Sequence, residues 1–260
     1  MGKIDSNNDM PFSFSGAEAV AFKQRLFEHL LSSGLDPDVT ADWKAGIYSL
    51  FGVQTINLPD FEAHSYILSS NHISDFDAVI LGLLHPRIRI IAKIGWASNR
   101  QLMDFLEKHY DIVGIYRDSE IEQLSPEDKK AARDHNYRVT IEALKYLKDG
   151  DKARHLLIFP QGTISDINAN TDARINPGFS KIAYAAKAEL VNVFIEYPGT
   201  PGPTRVICGT PYAVTGRNDD LRRSWLDGVI ALQNSLDNLR APVLSEKHLR
   251  NNSPDEPFFI

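Results

Sequence analysis

From residue 64 to about residue 210 the chain alternates short apolar runs with longer amphipathic ones. That alternation narrows the fold more than any other feature. His64–Ser69, Arg87–Lys93, Ile112–Tyr116, His155–Phe159, Leu190–Tyr197 and Arg205–Cys208 have the length and apolar content of strands. Ser74–Leu84, Ser98–His109, Ser125–Gly150, Pro177–Ala188 and residues 219–239 read as helices between and after them. The third helix is the best marked. Ser125 offers a capping hydroxyl, Pro126 takes the first helical position, Glu127 and Asp128 lie in the first turn, and Gly150 suits the stop. Strands separated by helices share a sheet whose two faces the helices cover. The expected fold is therefore α/β, a mixed central sheet flanked by helices, with an N-terminal helical segment.

That segment is Ala17–Leu31, where Val20, Phe22, Leu26, Phe27, Leu30 and Leu31 share one side of a helical wheel. It could pack on the core or lie on lipid or a partner, and the sequence leaves both open. Trp43–Val53 reads as a second, shorter helix. The expected organisation is a tail with helices over residues 1–60, an α/β domain over 61–240, and a C-terminal tail over 241–260.

The net charge of −6 argues against a nucleic-acid partner, whose backbone calls for concentrated Lys and Arg. The one cysteine, Cys208, cannot form an internal disulfide, which fits a reducing cytosolic compartment. There is no secretory signal pattern. The longest apolar run, Ala78–Leu84, falls far short of the roughly 18 residues of a membrane span. The expectation is a cytoplasmic protein whose contact with a membrane, where it occurs, is peripheral. Met1–Ser6 fits the loose N-myristoylation pattern, and a plain polar tail is the alternative.

Two segments carry chemistry. In Asn71-His72-Ile73-Ser74-Asp75-Phe76-Asp77 a strand ends and a helix begins. The spacing lets the Asp77 carboxylate meet one imidazole nitrogen of His72 while the other faces a substrate, the usual construction of a general base. The alternative is a hydrogen-bonded loop histidine beside an acid at a helix start. The second segment, Phe159-Pro160-Gln161-Gly162-Thr163-Ile164-Ser165, follows an apolar strand. Pro stops the strand, Gly allows close backbone approach, and Thr and Ser supply hydroxyls. It lies at the strand end where α/β proteins place their sites; a plain turn is the alternative.

Together these segments resemble the glycerolipid acyltransferase family, whose best-known members acylate lysophosphatidate. Asn71, His72 and Asp77 match the family's first block. Phe159, Pro160, Gly162, Thr163 and Ser165 match its Phe-Pro-Glu-Gly-Thr-Arg-Ser block. Gly114-Ile115-Tyr116-Arg117 is a compressed version of its second block, with Lys93 as the upstream lysine. Val191-Asn192-Val193 stands for the Val-Pro-Val strand without its proline, and Pro177-Gly178 for the start of the next helix. The resemblance covers about residues 64 to 210 and implies an acyltransferase-like fold and activity. It implies a fatty acyl group moving from acyl-CoA or acyl carrier protein to a hydroxyl of a lysophospholipid-like acceptor, with no further cofactor. His72 would be the base and Asp77 its orienting acid. Asn71, Lys93, Arg117, Gln161, Gly162, Thr163 and Ser165 would contact substrate, and backbone N–H groups near Gly162 and Thr163 would receive the oxyanion.

Two departures bear on the acceptor. Gln161 replaces the usual Glu, and Ile164 replaces an Arg thought to hold the acceptor's phosphate. Arg117, Lys93 or Arg174 would have to stand in. Otherwise the acceptor is an amine or hydroxyl of a specialised lipid or secondary metabolite. A third reading is a non-catalytic member that binds acyl chains or membrane. Arg87, Arg89 and Lys93 could meet the donor's phosphates or form a solvated strand face. Cys208 reads as a core residue, no Gly-x-Ser-x-Gly elbow is present, and no His and Cys cluster has metal-ligand spacing.

Overall fold

A computed structural model of the protein describes residues 48, 51–74, 76–94, 110–148, 150–162, 178–197, 203–214 and 225–235. The expected helices Ala17–Leu31 and Ser98–His109 lie outside these residues. So do Thr163, Ile164, Ser165 and Arg174.

The described strands form one mixed sheet of eight. They are β1 (Gln54–Ile56), β2 (Tyr66–Ser70), β3 (Ile88–Lys93), β4 (Asp111–Ile115), β5 (His155–Ile158), β6 (Glu189–Glu196), β7 (Arg205–Cys208) and β8 (Tyr212–Ala213). The order across the sheet is β1-β7-β6-β2-β5-β3-β4, and β8 also pairs with β6. Strands β6, β2, β5, β3 and β4 run parallel, whereas β7 runs antiparallel to β6. The carboxyl ends of β2, β5 and β6 therefore open onto the same edge, with β2 in the middle.

Side chains alternate between two cores. Tyr66 and Leu68 of β2, Leu157 of β5 and Val191, Val193 and Ile195 of β6 face one side, where helix α1 (Phe76–Gly82) adds Ala78, Ile80 and Leu81. Ile67, Leu156, Leu190 and Phe194 face the other. There they meet Ala143 and Leu147 of α3 (Pro126–Lys148), Phe179, Ile182 and Ala183 of α4 (Gly178–Ala186), and Trp225 and Val229 of the helix over residues 225–235. A short helix α2 (Asp118–Ile121) precedes α3. Each fully buried Leu or Ile contributes about 1.5–3 kcal/mol, so burial on both faces holds the sheet to its helices. Ser125 caps α3 by accepting the Asp128 N–H at 3.2 Å, as the sequence led one to expect.

Three elements differ from expectation. The sheet includes β1, on the N-terminal side of residue 60, and β8. These have three and two residues, too few for a period to show. Helix α2 has four residues and escaped for the same reason. No helix among the described residues is long and apolar enough to cross a membrane.

Candidate active site

Strand β2 ends at Ser70 and α1 begins at Phe76, so the segment between them turns at the sheet's carboxyl edge. Asp77 lies in the first turn of α1 and is fully buried. Its Oδ2 accepts hydrogen bonds from the backbone N–H groups of Ile73 (2.7 Å) and Ser74 (2.9 Å), and faces His72 Nδ1 at 3.0 Å. Its Oδ1 accepts the Tyr197 hydroxyl at 2.6 Å. A buried carboxylate is costly without partners, and here every partner is a donor. The imidazole side chain keeps 16% of its surface exposed, against 0% for Asp77. Acid inside and base at the rim is the order a proton acceptor for an external hydroxyl needs.

The loop after β5 reaches the same place because β5 is the parallel neighbour of β2. Phe159 stacks on the His72 ring, with centroids 4.3 Å apart and planes at 27°. Phe159-Pro160-Gln161-Gly162 closes a turn through a Gly162 N–H bond to the Phe159 carbonyl at 2.9 Å. Gly162 has φ +66°, a value that disfavours any side chain. The expectation that the Gly162 N–H receives the oxyanion is corrected here, because that N–H is spent on closing the turn.

Two residues expected to bind substrate tie the scaffold together. The nearly buried Gln161 uses Oε1 to accept the His72 N–H at 2.8 Å, joining the two loops. Asn71 is buried and applies its carboxamide to the Ile195 backbone. Nδ2 donates to Ile195 O at 2.9 Å, and Oδ1 accepts the Ile195 N–H at 2.8 Å. Both ends of its side chain are used, so Asn71 positions the loop against β6 and does not face a substrate.

Lys93 ends β3 and Arg117 follows β4, on the same edge but two and three strands from β2. At about 4.8 Å per strand that is roughly 10 and 14 Å along the sheet. Lys93 pairs with Glu120 of α2. Desolvation pushes Glu120 upward, yet the Lys93 bond and the Arg117 N–H bond leave it below its ordinary value. Arg117 is half-buried, and the backbone before it is clamped by Asn136, which bonds both Tyr116 N–H and Tyr116 O.

Of the two readings of the basic residues on β3, the ion pairs favour the plain strand face. Arg87 pairs with Glu62 and Arg89 with Asp111. Both lie toward the amino end of β3, away from His72, while Lys93 lies at the other end, about 20 Å from Arg87 and about 13 Å from Arg89 at strand spacing. Cys208 sits in the core, and burial pushes its thiol up to about 12, which removes it as a nucleophile. Among the described residues no group of three or more His, Cys, Asp or Glu could hold a metal ion.

The sequence did not single out Tyr197. It lies 120 positions from Asp77, and only the pairing of β6 with β2 brings it there.

The sequence profile of the family described as Acyltransferase matches residues 53–196. The crystal structure of the 1-acyl-sn-glycerophosphate (LPA) acyltransferase PlsC from Thermotoga maritima is similar, with 15% identity and a TM-score of 0.46, covering 85% of this chain and 90% of that one. No curated protein matches the sequence. Residues 53–196 are more than half of the chain and contain both the His72 loop and the Phe159 turn, so the protein belongs to the acyltransferase family.

Proposed function

We propose that the protein moves a fatty acyl group from a thioester of coenzyme A or acyl carrier protein to a hydroxyl of a lysophospholipid-like acceptor. One observation carries the reading: an imidazole at the sheet edge, partly open to solvent, with one nitrogen held by a buried carboxylate. The Ile73 and Ser74 N–H groups fix Oδ2 as an acceptor, so His72 carries its proton on Nδ1 and offers the lone pair of Nε2. Nε2 takes the hydroxyl proton as the acceptor oxygen bonds to the thioester carbonyl carbon. The tetrahedral intermediate collapses, the C–S bond breaks, and the imidazolium returns the proton to the departing thiolate. Asp77 balances the imidazolium while it exists. No covalent enzyme intermediate is needed.

Arg117 is the cation that takes the acceptor's phosphate, standing in for the arginine that Ile164 replaces. Its place on the shared edge supports this, and Lys93 is less suited because Glu120 already holds it. The resemblance assigns Thr163 and Ser165 contact with substrate as well. Ile164 itself favours a second reading, in which the acceptor carries no phosphate.

The test is direct. The purified protein is incubated with acyl-CoA or acyl carrier protein and with phosphorylated and unphosphorylated acceptors, and products are read by mass spectrometry. Acylation of a lysophospholipid, with a raised KM in Arg117→Ala, is the expected result. Transfer confined to unphosphorylated acceptors would select the second reading, and no transfer to any acceptor would sink both.

A further inference from the structure

We propose that Tyr197 is a positioning residue that sets how strongly Asp77 holds His72, and so sets the pH at which the base becomes active. The inference rests on His72 acting as that base.

Tyr197 follows β6 and is buried beside the loop after β2. Its hydroxyl donates to Asp77 Oδ1 at 2.6 Å, a short bond of the charge-assisted kind. Ser74 serves the same carboxylate: its N–H donates to Asp77 Oδ2 at 2.9 Å, and its Oγ accepts the Phe76 N–H at 3.2 Å. Asp77 thus gathers Ser74, Tyr197 and His72, and Ser74 is tied in turn to the first residue of α1. The titratable members are His72, Asp77 and Tyr197. The others that face them, Ser74 from the loop before α1 and Gln161 from the turn after β5, are neutral. Burial, and the Asp77 charge beside it, push the Tyr197 phenol well above its usual value, so it stays protonated and donating at any working pH.

The two oxygens of Asp77 share one charge. A donor on Oδ1 draws density away from Oδ2 and weakens its pull on the His72 proton. Without that donor, Oδ2 grips the imidazolium harder, and the base stays protonated to a higher pH. Tyr197 touches no substrate in this arrangement, so substrate affinity should not change.

Tyr197→Phe keeps the ring and removes only the hydroxyl. The acid limb of the kcat profile should move up by about half to one pH unit. One pH unit below the midpoint of the parent's acid limb, turnover should then fall about three- to ten-fold, with KM unchanged and turnover on the alkaline plateau within about two-fold. The low-field proton resonance of His72 Nδ1–H, identified by its absence in His72→Ala, should move further downfield. A folded Tyr197→Phe protein whose limb and resonance match the parent overturns the proposal. So does a loss that is uniform across pH, which reports only fewer folded molecules. Should Tyr197→Phe fail to fold, 3-fluorotyrosine placed at 197, a stronger donor, must move the limb and the resonance in the opposite direction. Failure of the underlying reading looks different: folded His72→Ala would keep parental turnover, whatever the resonance does in Tyr197→Phe.

Discussion

Two histidines stand at opposite edges of the same sheet, and their surroundings teach what makes an imidazole usable. His72 follows β2 at the carboxyl edge, partly exposed, with an anion 3.0 Å from Nδ1. His155 opens β5 at the amino edge, fully buried against the rings of Phe61, Tyr66 and His85. Its Nδ1 accepts the Tyr66 N–H at 3.3 Å, so a second proton there would break that bond. Burial first, then the His85 and Arg87 charges, bring His155 down from 6.5 to about 4. Both residues sit in or beside strands of one apolar core. What separates them is a charge partner and a way out to solvent.

The comparison breaks most sharply by truncation. His72→Ala should lower turnover by about 10³- to 10⁴-fold while the urea midpoint stays near the parent's, because a rim side chain carries little packing. His155→Leu should show the reverse, with near-parental turnover per folded molecule. Comparable activity losses in the two variants would mean that the carboxyl edge is not where the chemistry occurs.

Asp77→Asn sharpens the carboxyl-edge half. The Ile73 and Ser74 N–H groups point at the Oδ2 position, so an asparagine there keeps its oxygen on that side and still accepts from His72 Nδ1. The Tyr197 hydroxyl can rotate to accept from the amide. The histidine tautomer survives, and only the negative charge is lost. A charged hydrogen bond is worth about 1.5–3 kcal/mol, so turnover should fall about 10- to 100-fold, less than for His72→Ala. A loss equal to that of His72→Ala, measured in single-turnover assays, would show that the tautomer had flipped after all.

These pairings also mark how far the sequence could be read. The His72–Asp77 contact was legible because it is local: five positions connect a strand end to the first turn of the next helix. The Phe159 turn was legible because Pro and Gly punctuate an apolar strand. Everything that depends on strand order was not. Tyr197 meets Asp77 because β6 lies beside β2, and Gln161 meets the His72 N–H because β5 lies on the other side. No spacing in the chain encodes either neighbour. Lys93 and Arg89 read as free cations because their acids, Glu120 and Asp111, are 27 and 22 positions away on elements whose docking periodicity does not reveal. Asn71 read as a substrate contact because a carboxamide that completes a ladder with Ile195 has no signature of its own.

The amino-edge half is tested by acid. Unfolded, the His155 imidazole titrates near 6.5, and folded it titrates near 4. Between those values the unfolded chain holds a proton that the folded chain does not. Stability from this group is therefore complete above about pH 6.5 and falls as pH drops toward 4, by about 3 kcal/mol over the window. His155→Leu should cost about 1–3 kcal/mol at pH 7.5, because the Tyr66 N–H loses its acceptor. It should also flatten the decline between pH 6.5 and 4 relative to the parent. Urea unfolding at four pH values measures both, and an unchanged slope would mean that His155 is already protonated in the folded protein.

The smallest effect belongs to Gly162 and asks how much the carboxyl edge owes to its turn. Among the described residues a methyl group at this position would meet nothing within 4 Å beyond its chain neighbours, so the turn itself sets no steric obstacle to Gly162→Ala. The penalty is the backbone alone, since φ +66° costs an L-residue about 1–2 kcal/mol. That cost falls on the turn carrying Gln161, whose Oε1 holds the His72 N–H. If the turn relaxes, Gln161 shifts and His72 loses one of its two anchors while keeping Asp77. Turnover should then fall only about two- to five-fold, with a matching small drop in the urea midpoint. A loss approaching that of Asp77→Asn would place the control of His72 in the turn after β5, and would make the carboxylate the lesser of the two restraints.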